Sequence, residues 1–241
     1  MKGPNFGENV LSFFLMIFGS LGLIKIVIDL TFKDMQKTKN GFIIIMSIFF
    51  FIFCFGFNVA LTQNELVCDS TNTSLAIQAT IFPFIFIYVL GFSLLFLFQG
   101  WMRSFENTFG LTVAQMCGFT TSTLVKNINS KSGNDAERLY SQFKENPTVL
   151  FNELLFDQNK EDIKNFDILR SFSIGDSDDD LKNMLKKYMT VKETTATMIW
   201  FLLLGMITLL VSQNTLLSNN CQKTVDNRND FKNYVSSQLK E

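Results

Sequence analysis

Histidine is absent from the 241 residues, which removes the commonest general base and the commonest metal ligand together. Charge is scarce and unevenly spread. Asp, Glu, Lys and Arg make up 18% of the chain, yet none occurs between Lys39 and Glu65, between Asp69 and Arg103, or between Glu193 and Lys223. Each of these gaps exceeds the ~20 residues a helix needs to cross a bilayer. A net charge of −1 leaves no basic footprint for nucleic acid. The four cysteines show no C-x-x-C spacing, and no Gly-rich phosphate loop, internal repeat or low-complexity tract occurs. These absences argue against an enzyme, a metal site and a bound cofactor, and the charge-free gaps argue for a membrane protein.

What remains is apolar and clustered, with 28 Phe among the 241 residues. Three spans follow from the charge-free gaps: Gly41–Leu61, Ala76–Phe98 and Thr195–Leu217. A fourth, Val10–Phe32, is uncharged up to Lys25; it is longer than a signal-peptide core and has no A-x-A-like cleavage site, so it reads as a retained span. A lipid-exposed segment must satisfy its own backbone hydrogen bonds, so all four are expected to be helices. The expected fold class is an all-α membrane protein with four transmembrane helices and a small helical cytoplasmic insert between the third and fourth.

The short loops set the orientation. Lys33, Lys37 and Lys39 follow the first span, whereas TQNELVCDSTNTS after the second has no Lys or Arg. By the positive-inside rule the first loop is cytoplasmic and the second external. Residues 99–194 then fall on the cytoplasmic side, as an interfacial elbow (99–118) and a helical domain (119–194), and the polar tail 218–241 is external.

Within the insert, Ala136, Leu139, Tyr140 and Phe143 keep helical spacing, and Asn146-Pro147 reads as a cap and first helical residue before VLFNELLF. In SDDDLKNMLKKYM, acids open a helix that places Leu181, Met184, Leu185 and Tyr188 on one face. The acids at 176, 178, 179 and 180 could also hold a cation. They lack the Gly and Glu spacing of an EF-hand, and a charged helix start accounts for them.

Lys25 and Asp29, one helical turn apart in the first span, form a candidate intramembrane charge pair. One reading is a Lys that snorkels to the cytoplasmic headgroups and carries its partner; the other is an ion or proton path. Cys68 and Cys221 both lie on the external face, seven and four residues beyond the ends of the second and fourth spans. A disulfide between them is expected, with two free thiols as the alternative, and it requires those spans to be neighbours. Asn72-Thr73-Ser74 in the same loop is a possible glycosylation sequon, or a chance triplet close to the membrane.

The stretch GWMRSFENTFG, Gly100–Gly110, shows no clear periodicity. A selectivity filter would need a span closing on it, and the next begins about 85 residues later. An interfacial elbow fits better: Trp101 and Phe105 at headgroup level, Arg103 on anionic lipid, and Gly100 and Gly110 allowing turns.

With Gly100, Trp101, Phe105, Asn107, Thr108 and Gly110, this elbow resembles the Gly-Trp-x-x-Pro-Phe-x-Asn-Thr-x-Gly motif of multi-span virion membrane proteins, or membrane-associated minor capsid proteins, of nucleocytoplasmic large DNA viruses. Ser104 stands where that family has Pro. At the end of the last span Gln213 stands where the family has Tyr, followed by Asn214 and the downstream Cys221. The resemblance covers about Cys68 to Cys221 and rests on these two motifs. It implies a non-enzymatic component of a virion's internal lipid membrane, present in host membranes during assembly. The partners it implies are the bilayer, capsid or scaffold proteins and possible self-association.

The disulfide gives the first test. A non-reducing digest of membrane-purified protein is expected to yield a peptide containing Cys68 linked to one containing Cys221. Quantitative alkylation of both thiols without reductant would contradict the bridge.

Overall fold

A backbone in hydrocarbon has no water to bond, so long charge-free runs become uninterrupted helices. The computed structural model describes residues 6–31, 39–63, 73–119, 155–156, 163–164 and 178–238. The first two spans are the helices α1 (Phe6–Thr31) and α2 (Lys39–Gln63). The third is a composite running from Thr73 to Leu97: α3 (Thr73–Pro83), a π-helix (Phe84–Val89) and α4 (Leu90–Leu97). The fourth lies inside α7 (Asp178–Gln238), a single helix of 61 residues. Among the described residues, which are predominantly helical, four helices are thus long and apolar enough to cross a membrane, with bounds of Val10–Thr31, Gly41–Thr62, Thr73–Leu97 and Lys182–Leu216.

The π-helix has a visible cause. Pro83 has no N–H to donate one turn back and its ring crowds the preceding carbonyls, so the hydrogen-bond ladder re-registers to i→i+5 just after it. The span absorbs the proline in this way without leaving the helical path.

Two differences from the sequence expectation concern continuity. The fourth span was expected to start at Thr195, and the tail to be separate from residue 218; both flanks are part of α7. Charge decides where a helix can enter lipid, but not where its ladder ends, and α7 contains no proline and a single interior glycine, Gly205. At ~1.5 Å per residue it rises about 90 Å, roughly three times the hydrocarbon thickness. In the insert, the run VLFNELLF ends in β1 (Leu155–Phe156), which pairs antiparallel with β2 (Ile163–Lys164) where a helix was expected to continue. Helical spacing and alternation cannot be told apart over so short an apolar run. The helix proposed over Ala136–Phe143 lies outside the described residues.

The described residues fall into two compact units, one of Met1–Ser20, Asn40–Leu97 and Trp200–Glu241, the other of Leu21–Lys39 and Phe98–Ile199. The core of the first is aromatic. Phe14 and Phe18 of α1, Phe50 of α2, Tyr88 of the π-helix and Phe201 of α7 are all nearly inaccessible. Phe18 stands 5.5 Å from Phe201, Phe50 5.1 Å from Tyr88, and Tyr88 meets Phe201 edge-on at 5.8 Å. Lipid tails are as apolar as these side chains, so packing rather than water exclusion must hold the helices together. Edge-on and tilted ring pairs add roughly 0.5–1.5 kcal/mol each beyond area burial. Small residues let the helices close on this core: a Cβ on Gly205 would stand 2.5 Å from Cζ of Phe14, and one on Gly91 2.7 Å from a methyl of Leu204.

Gly205→Ala is therefore expected to cost ~1–3 kcal/mol by overpacking, because the Phe14 ring has no room to retreat. Gly56→Ala, whose added Cβ meets nothing, serves as its control and should be neutral. Thermal unfolding of both variants in detergent checks this, and equal midpoints would contradict the packing described.

Candidate functional site

The elbow is helical. The non-helical Phe98 (φ −109°, ψ 73°) precedes it, after which α5 (Gln99–Phe105), a second π-helix (Glu106–Gly110) and α6 (Leu111–Met116) follow without interruption. Trp101, Phe105 and Phe109 recur every four residues, a helical stripe that the intervening Asn-Thr and the flanking glycines obscure in the sequence. The turning ascribed to Gly100 and Gly110 is made elsewhere, at Phe98 and at the far end. There Gly118 adopts φ +92° and closes α6, its N–H bonding to Gln115 O while that of Phe119 reaches Ala114 O. This is a Schellman closure, and glycine is the residue that enters the left-handed region without strain.

Gly110 has a different role. Its backbone is ordinary right-handed helix, but a Cβ there would lie 2.7 Å from the carbonyl oxygen of Lys192 on α7. One turn away, Asn107 Oδ1 accepts a hydrogen bond of 2.9 Å from Lys192 Nζ, whose ammonium also stands 5.4 Å from the centre of the Tyr188 ring. Lys192 is 5% exposed. A cation so enclosed is costly unless hydrogen-bonded, and Asn107 supplies the acceptor. Two of the six motif positions thus dock the segment onto α7.

The remaining motif positions face outward or support the helix. Trp101 is about half exposed and stacks on Phe98 at 5.7 Å; Phe105 stacks on the exposed Phe109 at 5.5 Å. Thr108 donates to Ser104 O, and Gly100 has open space around it. Ser104, where the family motif has Pro, occupies a position in mid-helix and donates to Gly100 O at 3.4 Å. An apolar stripe on one side and a docked face on the other is the pattern of a helix lying in a membrane interface.

Lys25 and Asp29 are joined by an ion pair and hydrogen bond, and Thr194 Oγ1 of α7 donates to Asp29 Oδ2 at 2.9 Å. Lys25 is 4% exposed, with its ammonium turned along α1 toward Asp29. The added hydrogen bond from α7 explains the enclosure, since a buried carboxylate needs more than one donor.

A second polar cluster was not anticipated. Asn58, about one turn before the end of the apolar run of α2, donates from Nδ2 to Thr80 Oγ1 of α3 at 2.7 Å and to Ser212 Oγ of α7 at 2.6 Å. Thr80 spends its own proton on Ala76 O, so its oxygen must accept, which fixes the orientation of the amide. Cys54 Sγ approaches Ser212 Oγ at 3.8 Å. A hydrogen bond across helices in lipid contributes on the order of 0.6–2 kcal/mol, and this amide joins three of them. The sequence signal was Asn58 itself, an amide within an otherwise apolar span.

Several expected features lie outside the described residues: Cys68, Asn72, and the side chain of Cys221 within α7. Asp178, Asp179 and Asp180 are the first three residues of α7, where the macrodipole favours acids. Among the described residues no group of three metal-ligating side chains converges. Comparison with protein-family models, curated proteins and solved structures yields no match to this chain.

Because Gly110 sits against backbone rather than a yielding side chain, Gly110→Ala should push the segment off α7, at a cost of ~1–3 kcal/mol. Gly100→Ala should have no such effect. Limited proteolysis across residues 99–118 in detergent is the check: faster cleavage is expected for Gly110→Ala alone, and equal rates would contradict the docking.

Proposed function

We propose that this chain is a structural component of the internal lipid membrane of a large DNA virus, present in host membranes during assembly, and that it links that membrane to capsid or scaffold proteins. The observation that carries the reading is the division of labour in the motif segment. Asn107 and Gly110 fix it to Lys192 of α7, while Trp101, Phe105 and Phe109 give it an apolar stripe. A segment fixed on one side and apolar on the other would hold the insert that follows at a set height over the bilayer. That is what a link from membrane to shell requires. The viral assignment rests on the motif's resemblance, and the proposal includes no enzymatic activity, cofactor or nucleic-acid partner.

The alternative is an ion channel, transporter or viroporin-like protein. The buried Lys25–Asp29 pair is the feature that favours it, since charges within spanning helices commonly mark ion or proton paths. Under the structural reading the same pair, closed by Thr194, fastens α1 to α7.

Two measurements separate the readings. Lysine-directed cross-linking in purified particles is expected to join Lys131, Lys144 or Lys160 of the insert to a capsid or scaffold protein, and purified protein in liposomes is expected to leave ion flux at the level of empty vesicles. Flux that disappears in Asp29→Asn, with cross-links confined to this chain, would favour the channel instead.

A further inference from the structure

The π-helix after Pro83 borders a surface feature as well as the aromatic core. Alongside the π-helix and α4, a half-open furrow of about 530 Å³ runs along the outside of the first unit. One wall is the α2 stretch Ile43–Phe51 and the other is Phe84–Phe96 of the third span. Its aromatic floor is fixed before anything enters: Phe51 meets Phe84 edge-on at 4.9 Å, and Phe84 stacks on Tyr88 at 5.0 Å.

The polar atoms in the furrow identify what fits it. Ser47 donates to Ile43 O at 2.8 Å, so its oxygen is left to accept from Tyr88 OH, also at 2.8 Å. Ser93 donates to Val89 O at 2.8 Å. Each of these hydroxyl protons is therefore spent within the protein, and no charged side chain lines the walls. A ligand needing hydrogen bonds for orientation finds no donor here, whereas hydrocarbon loses nothing by entering.

The furrow is also continuous with the surface that meets the bilayer. Ile44, Ile48, Val89 and Phe96 on its rims are exposed, as are Ile45, Ile52 and Phe86 beside it, all within spanning helices. At ~1.5 Å per residue the longer wall extends about 18 Å, close to the roughly 15 Å of one hydrocarbon leaflet. A compact ligand would leave much of that length empty; an extended chain aligned with the spans fills it.

We propose that the furrow between Ile43–Phe51 and Phe84–Phe96 binds one acyl chain of a bilayer phospholipid. The proposal rests on the spanning helices and is independent of which membrane holds them. A bound chain would fill the groove beside the π-helix and make that lipid part of the bundle's packing.

The test uses the full chain reconstituted in nanodiscs of phosphatidylcholine carrying a photoactivatable diazirine in its acyl chain, followed by peptide mapping of the adducts. Labelling at Ile48, Val89 and Phe96 is expected to exceed, several-fold, that at Met16, Phe82 and Phe86, which are similarly exposed but outside the furrow. Ile48→Trp, which fills the groove from its rim, should remove the excess and leave the control positions unchanged. Uniform labelling of furrow and control positions in the unmodified chain would overturn the proposal. So would efficient disulfide cross-linking between copies through Ile48→Cys in the same nanodiscs, because a second copy would then occupy the groove.

Discussion

Polar groups inside lipid-facing helices have nowhere to turn but to the protein itself, and the packing of the described helices reflects how several of them find partners. The simplest solution is local: Thr80, Ser93, Thr197, Thr208 and Thr215 each return a hydroxyl proton to the carbonyl four residues earlier. The groups too polar for that join helices instead. Asn58 ties α2 to α3 and α7, and Asp29 ties α1 to α7 through Thr194. In an apolar medium such bonds add direction to packing that is otherwise between like surfaces. The helices are held by rings that interlock and by a few amides and carboxylates that select which faces meet.

The same demand shapes the segment after the third span. Lys192 is a charge at the edge of the charge-free stretch, and enclosing it requires an acceptor. Asn107 is that acceptor, and it is brought within 2.9 Å because Gly110 allows the two backbones to approach. Enclosure of a cation and close backbone contact are thus two consequences of one docking event, and Trp101 and Phe109 of the same segment stay exposed. Both π-helices stand at such places, one behind Pro83 and one through Glu106–Gly110, where an added residue per turn re-aims the side chains that follow.

The spans were legible in the sequence because lipid imposes a composition: a window without charge is a physical requirement, and the expected ends fall within three residues of the structure for the first three. The Lys25–Asp29 pair was legible because i,i+4 spacing is local. Thr194, 165 residues from Asp29, and Lys192, 85 residues from Asn107, were not, since nothing in either neighbourhood names the other. The docking of the elbow was hidden for a related reason. A glycine in sequence signals backbone freedom, whereas Gly110 matters for what approaches it, which only the packed structure reveals. The continuity of α7 through Glu193 was hidden because charge marks the membrane boundary and leaves the hydrogen-bond ladder intact.

The central proposal is that the four apolar helices cross a bilayer and that the motif segment lies in its interface. Its most direct test is the depth of spin labels placed one at a time on the full chain in vesicles and read by their collisions with oxygen and with a water-soluble relaxant. Labels at Met16, Ile52, Phe86 and Ile207 should be oxygen-accessible and shielded from water, and labels at Trp101 and Phe109 should report headgroup depth. Water-exposed labels at any of the first four, or hydrocarbon depth at Trp101 and Phe109, would contradict the account.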